Sequence, residues 1–458
     1  MPETSMAHDL GLLLPEIALL LTAIAALTAG MLRRDGWALP VTLVGLAIAF
    51  GLSVPLVGTQ TSIFEGTFRV DALSIWAKLI LLPATALVAV LALPEVRGTD
   101  REATVFSLLS FTTLGALALA GAGDLMFLVL GLLLSGFGAF ALVAYPRTDR
   151  ATEAAMKYFV FGVVSGAVMT YGLTFWFGAT GSTLLSDAQP LGDARLAGMA
   201  SLLAVLVGLG YKAGLAPFHF WAPDAYEGAP LAVAAYLSVV TKIGAIFGLA
   251  QVAISLAPVG VGWRPAVATV AIISMTFGNL AALRQINVVR LLAYSSIAQA
   301  GYFLVGLVGA GTSLLALRSL IVFAAAYGAM NIGIFAVVAQ AGRDIDAFAG
   351  LGRSRPWIGA SAVIFLLSLV GVPPLAGFFG KLLLFGAAID VGYTWLAVAA
   401  IVNSVLSLAV YLRIIVPMYQ QPGIERPVSV EPTFVWSSAL VLTIGLGLGA
   451  QVLIGGIL

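Results

Sequence analysis

Fourteen apolar runs of about 20 residues divide this chain from end to end, and each is long enough to cross a hydrocarbon layer of roughly 30 Å as a helix. They fall near 10–31, 37–58, 73–94, 104–122, 125–145, 157–177, 197–217, 230–251, 265–284, 290–309, 314–340, 357–390, 393–417 and 433–457. Inside a bilayer each backbone polar group must be satisfied by its own segment or by a closed barrel. A barrel would show apolar and polar residues in alternation; continuous runs predict a helix bundle. The expected fold is therefore an all-α membrane protein of about 14 transmembrane helices, a single integral domain over 1–458.

Composition agrees. Of 458 residues, 61% are hydrophobic and only 9% charged, against roughly 25% charged in soluble domains. "MPETSMAHD" before the first run lacks a basic segment, so that run reads as a retained helix rather than a signal peptide. With no cysteine in the chain, disulfides, thiolate metal sites and cysteine nucleophiles are excluded. A net charge of +1 offers no broad electrostatic surface for nucleic acid. Neither metal-ligand spacing nor a glycine-rich phosphate loop is present.

Orientation follows from where basic residues fall in the short loops. Loops after odd-numbered helices hold Arg33, Arg34, Arg97, Arg101, Arg147, Arg150, Arg284, Arg290, Arg343, Arg353, Arg355 and Arg426; the opposite side has Arg69, Arg195, Arg264 and Arg318. The bias places both termini outside, periplasmic if the membrane is a bacterial inner one.

Five lysines remain. Lys78 and Lys157 lie near helix ends, where a long side chain can reach the interface. Lys212 in "VGLGYKAGLAPFHFW", Lys242 in "YLSVVTKIGAIFGL" and Lys381 in "VGVPPLAGFFGKLLLFG" lie deep within their runs. A central lysine costs at least roughly 2.5–3.5 kcal/mol to insert, so three imply a polar or wet interior. Lysine suits proton handling, since burial disfavours its charged form and a nearby carboxylate restores it. The alternative is that each is a buried tether, bonded to the freed carbonyl of a broken helix. Two breaks are expected, at Pro217 after Lys212 and at Pro373 and Pro374 before Lys381, with Gly214, Gly371 and Gly377 adding freedom. Discontinuous helices in corresponding places of two halves point to a transport pathway.

Other polar residues read less specifically. Glu16 is either a helix-start carboxylate or a functional acid. His219, flanked by Phe218 and Phe220, either relays a proton or packs. Ser295, Ser296 and Gln299 form a strip for helix packing or hydration. Asp224 and Glu227 have no Lys or Arg near them in sequence and read as water-exposed loop acids or as a channel mouth.

"MKYFVFGVVSGAVMTYGLTFWFGATGS", "GYKAGLAPFHFWAPDAYEGAP", "INVVRLLAYSSIAQAGYF" and "GVPPLAGFFGKLLLF" together resemble the antiporter-like membrane subunits of proton-pumping NADH:quinone oxidoreductase, respiratory complex I, and subunit N among them. The similarity runs from "LPEI" at 14–17 to "YLRIIVPMY" at 411–419. It implies two inverted five-helix repeats, 104–251 and 265–417, each with a Pro-broken helix. It assigns proton transfer to Lys212 at the centre, Lys242 on the inward connection and Lys381 on the exit route. Glu153 matches a family position and either serves Lys212 or pairs with Lys157. No cofactor or metal would be bound by this chain; NADH, flavin, iron–sulfur clusters and quinone would belong to the parent complex. Its partners would be other membrane subunits, especially a neighbouring antiporter-like one, and the bilayer.

One departure stands out. The family's fifth helix reads like "LGLELQSL", with a glutamate that pairs with the lysine of helix seven; here "LGLLLSGF" puts Leu133 in its place. Asp124, nine residues away, is about 13 Å distant along a helix and too far to substitute. The favoured reading is a proton-translocating subunit coupled to quinone reduction elsewhere. The alternatives are a structural, pumping-impaired subunit, for which Leu133 argues, and a subunit of a stand-alone cation/proton antiporter, which neighbouring genes would reveal.

Overall fold

A computed structural model describes residues 6–420 and 429–457; Arg426, counted above for orientation, lies outside the described residues. Thirteen helices are long and apolar enough to cross a membrane, and a broken helix completes a one-to-one match with the fourteen runs. In chain order these are α1 (Leu14–Met31), α2 (Asp35–Leu56), α3 (Ala72–Val96), α4 (Glu102–Ala120), α5 (Leu125–Ala144), α6 (Asp149–Thr180), α7 (Arg195–Ala213), α8 (Leu231–Leu256), α9 (Trp263–Ala282), α10 (Val288–Leu307), α11 (Leu314–Ala341), α12 in two halves (Pro356–Val370 and Ala376–Asp390), α13 (Thr394–Gln420) and α14 (Val430–Leu448). Two three-residue strands, Thr61–Ile63 and Phe68–Val70, form an antiparallel hairpin between α2 and α3.

Polar residues at the helix starts cap orphan N–H groups. Asp71 and Ser74 exchange hydrogen bonds at the start of α3. Asp124, the single acid before the charge-free stretch of α5, accepts from the N–H groups of Met126 and Phe127 at 2.7 and 3.0 Å. Its charge belongs to the helix end. The most buried spans are α8, α10 and α11, which form the centre of the bundle, while α1, α2, α6 and α14 keep broad apolar faces outward.

Both expected breaks are present, but glycine rather than proline starts them. α7 stops at Ala213 because Gly214 is left-handed (φ +73°), and the first half of α12 stops at Val370 because Gly371 is left-handed (φ +95°). Leu215 N–H then returns to Gly210, and Val372 N–H to Leu367, as in helix-terminating glycine motifs. The prolines follow and prevent resumption; helix restarts at Trp221 and at Ala376. A third irregularity had no signal in the sequence: Leu237–Thr241 makes one π turn in α8, immediately before Lys242.

Lys78 corrects the interface reading. It is 0% exposed and sits 2.9 Å from Glu16 of α1. The hairpin folds over this end of α3 and sets the Phe68 ring 5.6 Å from the ammonium, so proximity to a helix end gives no access to water here.

Candidate functional site

The two breaks expose carbonyls, and a lysine meets each. From α8, Lys242 donates to the Ala213 carbonyl, the last of α7, at 2.5 Å and to the Ser296 carbonyl of α10 at 2.9 Å. From the second half of α12, Lys381 donates to the Val370 carbonyl, the last of the first half, at 2.9 Å and to Ser404 Oγ of α13 at 2.9 Å. Its ammonium also lies 3.9 Å from the centre of the Tyr302 ring, a distance at which cation–π attraction applies. Gly377 sits where any Cβ would run into Ser368, so the halves of α12 can approach only with glycine there.

This is the tether geometry for Lys242 and Lys381. It does not exclude proton transfer: a carbonyl accepts from an amine as it does from an ammonium, so the anchor survives either protonation state. At the first break the tether is Lys242, whereas Lys212, the lysine nearer in sequence, points elsewhere.

Between Lys242 and Lys381 runs a buried row of hydroxyl and amide groups. Ser296 Oγ lies 3.3 Å from Tyr226 Oη and 3.2 Å from Tyr327 Oη; Asn331 donates to Tyr327 and to Ser238. One residue before Ser296, Ser295 Oγ meets Tyr411 Oη at 2.5 Å. Gln299 donates to the Leu369 carbonyl, beside the second break, at 3.0 Å and reaches Tyr411 Oη at 3.5 Å. The Ser295–Ser296–Gln299 strip thus belongs to the polar centre. Tyr226, Tyr327, Asn331 and Tyr411 were missed in the sequence, where a tyrosine within an apolar run looks like packing; the available signal was their clustering on the helices that face the lysines.

Lys212 is 1% exposed. Its ammonium donates to the Ser135 carbonyl of α5 at 2.9 Å and to Tyr158 Oη of α6 at 3.1 Å. Neither partner is charged, and among the described residues no carboxylate pairs with it. Tyr158 is held by stacking on Trp221, ring centres 4.1 Å apart, and Trp221 Nε1 donates to the Tyr211 carbonyl, so the short helix after the break fixes the lysine's partner. Leu133 is 44% exposed and lines an open groove with Lys212 at its inner end.

The remaining candidates lie apart from this row. His219 is buried with its ring 4.6 Å from Phe220 and 4.5 Å from Phe277, and among the described residues its Nδ1 has no hydrogen-bond partner. Glu153 pairs with Lys157 at 2.8 Å rather than with Lys212. Asp224 and Glu227, read as acids without basic neighbours, are paired through the fold: Arg290 reaches them at 2.7 and 2.9 Å, Lys157 reaches Asp224 at 3.0 Å, and Arg150 meets Glu227. Among the described residues no group of three or more His, Cys, Asp or Glu side chains could hold a metal ion.

This cluster has a definite pH behaviour. Burial alone would raise the Asp224 carboxyl, but hydrogen bonds from Arg290 and Lys157 outweigh it and hold the group below its ordinary range. A depressed carboxylate contributes stability that is complete above the unfolded value of about 3.9 and is lost as pH falls through the folded value. Hydrogen exchange over 221–228 is therefore expected to show no opening of the cluster between about pH 5 and 8. Asp224→Asn should speed that exchange at pH 7 by no more than about fivefold, equivalent to the ~1 kcal/mol that part-exposed ion pairs reach; no change would mean that the pair adds nothing.

Comparison with known proteins places the arrangement. Residues 122–407 match the family model described as NADH:quinone oxidoreductase/Mrp antiporter, TM. NADH-quinone oxidoreductase subunit N of Mycobacterium sp. (strain JLS) is 40% identical over 434 residues, covering 92% of this chain and 91% of that one. F(420)H(2) dehydrogenase subunit N of Methanosarcina mazei is 35% identical, covering 87% and 84%. A chain of respiratory complex I from Thermus thermophilus with bound Aureothin superimposes with a TM-score of 0.85 at 31% identity, covering 96% of this chain and 99% of that one. With its broken helices, the buried lysines Lys212, Lys242 and Lys381 and these relatives, the chain belongs to the NADH:quinone oxidoreductase/Mrp antiporter family of membrane subunits, and within it resembles subunit N of respiratory complex I.

Proposed function

We propose that this chain is a proton-translocating membrane subunit of a complex I-type NADH:quinone oxidoreductase. The observation that carries the reading is the set of buried polar groups between the two broken helices: Lys242 on the Ser296 carbonyl, Ser295 and Gln299 on Tyr411, and Lys381 on the Val370 carbonyl next to the Leu369 carbonyl that Gln299 holds, with no carboxylate paired with either lysine among the described residues. Lys212 is the central carrier, Lys242 connects it inward and Lys381 leads outward. The arginine-rich end faces the cytoplasm of a bacterial inner membrane, and 104–251 and 265–417 act as inverted halves. His219 and Glu153 flank the inward route. Electron transfer, with NADH, flavin, iron–sulfur clusters and quinone, takes place in other subunits, and another antiporter-like subunit lies alongside.

In assembled complex reconstituted into proteoliposomes, Lys212→Met should lower both quinone reduction and the pH gradient it builds. Unchanged coupled activity would overturn the reading. Leu133 supports a second one, a pumping-impaired structural subunit, for which Leu133→Glu should raise the protons moved per electron.

A further inference from the structure

Between α5 and α6 an open groove of about 280 Å³ leads inward to Lys212. Leu133 and Phe137 of α5 form one wall and are half exposed. The other wall is α6, where a Cβ on Gly166 would meet nothing within 4 Å, while Gly162, one turn earlier, is covered by the Phe140 and Tyr211 side chains of this chain. An open glycine lets another helix backbone approach closely at that point. The lining is mostly apolar, with Thr170, Tyr211 and Lys212 as its polar members, and the two hydrogen-bond partners of the Lys212 ammonium are neutral. A buried cation without a counter-ion is costly.

We infer that this groove docks a transmembrane helix of a neighbouring subunit, and that this helix supplies an Asp or Glu side chain as the counter-ion of Lys212. Charge complementarity selects the occupant. A lipid tail would fill the apolar walls but leave the ammonium uncompensated. A lipid headgroup would have to leave the interface to reach it, because the groove residues 162–170 lie in the middle third of α6 (Asp149–Thr180). A carboxylate carried on a membrane helix meets both demands. The proposal rests on the proton-transfer reading, since it completes the site of the central carrier from outside the chain.

The test is a photo-cross-linking residue placed at Leu133 or Phe137 in the assembled complex, with the linked peptide identified by mass spectrometry. The expected product joins this chain to a membrane helix with an Asp or Glu within one turn of the linked residue. Converting that acid to its amide should lower coupled activity to the level of Lys212→Met, and Leu133→Glu should then restore it from within this chain. Cross-links to lipid alone, or to a helix without an acid near the linked residue, would overturn the proposal. So would a gain in protons per electron from Leu133→Glu in the otherwise unaltered complex. The cross-link does not depend on turnover, so failure of the pumping reading and failure of the docking surface are read separately.

Discussion

Replacing Lys242 by Gln is expected to leave the complex assembled and its coupled activity lower by at least about tenfold, or ~1.4 kcal/mol in the limiting step. Lys242 serves both as the donor to the Ala213 carbonyl and as an exchangeable proton site beside Ser296. Glutamine keeps an N–H₂ donor and removes the titration. Methionine removes both, leaving a buried carbonyl without that donor at roughly 1–3 kcal/mol. If Lys242 is only a tether, the Gln variant works nearly as well as the parent and the Met variant fails through instability. If it carries protons, both are inactive and only Met loses stability. Quinone reductase rates, proton flux and thermal midpoints of the two variants decide between these outcomes. Lys381→Gln should behave alike, because its contact with Val370 repeats the arrangement at the other break.

What could be read from sequence divides along a physical line. Bilayer thickness sets the length of an apolar run, so all fourteen spans were visible without knowledge of their contacts. The two breaks were visible because proline and glycine constrain the backbone locally. Their detailed cause, a left-handed Gly214 and Gly371 with proline downstream, needed the dihedral angles. The π turn before Lys242 was hidden because no residue type marks it. Charge partners were hidden for a different reason: Asp224 and Glu227 meet Arg290 from a distant helix, and nothing within their own segment announces the pair. Leu133 was legible only as a departure from a family pattern. Its exposure, and the groove it shares with Lys212, became apparent once α5 and α6 were placed side by side.

Lys78→Met is expected to destabilise the protein by about 3–5 kcal/mol, and the double change Lys78→Met with Glu16→Gln to recover most of that loss. The pair joins α1 to α3 at 2.9 Å, with the lysine fully buried. The Lys78 ammonium lies within hydrogen-bond distance of the Glu16 carboxylate, and among the described residues no other charged group pairs with either, so each depends on the other's charge. Removing the lysine alone leaves a carboxylate enclosed by apolar helices and by the hairpin that carries Phe68. Removing both charges leaves a neutral contact whose main deficit is one unpaired amide. The thermal unfolding midpoint of the purified protein should therefore fall sharply in the single variant and return toward the parent in the double. A single variant as stable as the parent would show that water or another cation already reaches Glu16. Because α1 and α3 lie outside both proposed repeats, this loss should track assembly and stability rather than the protons moved per electron in whatever complex survives.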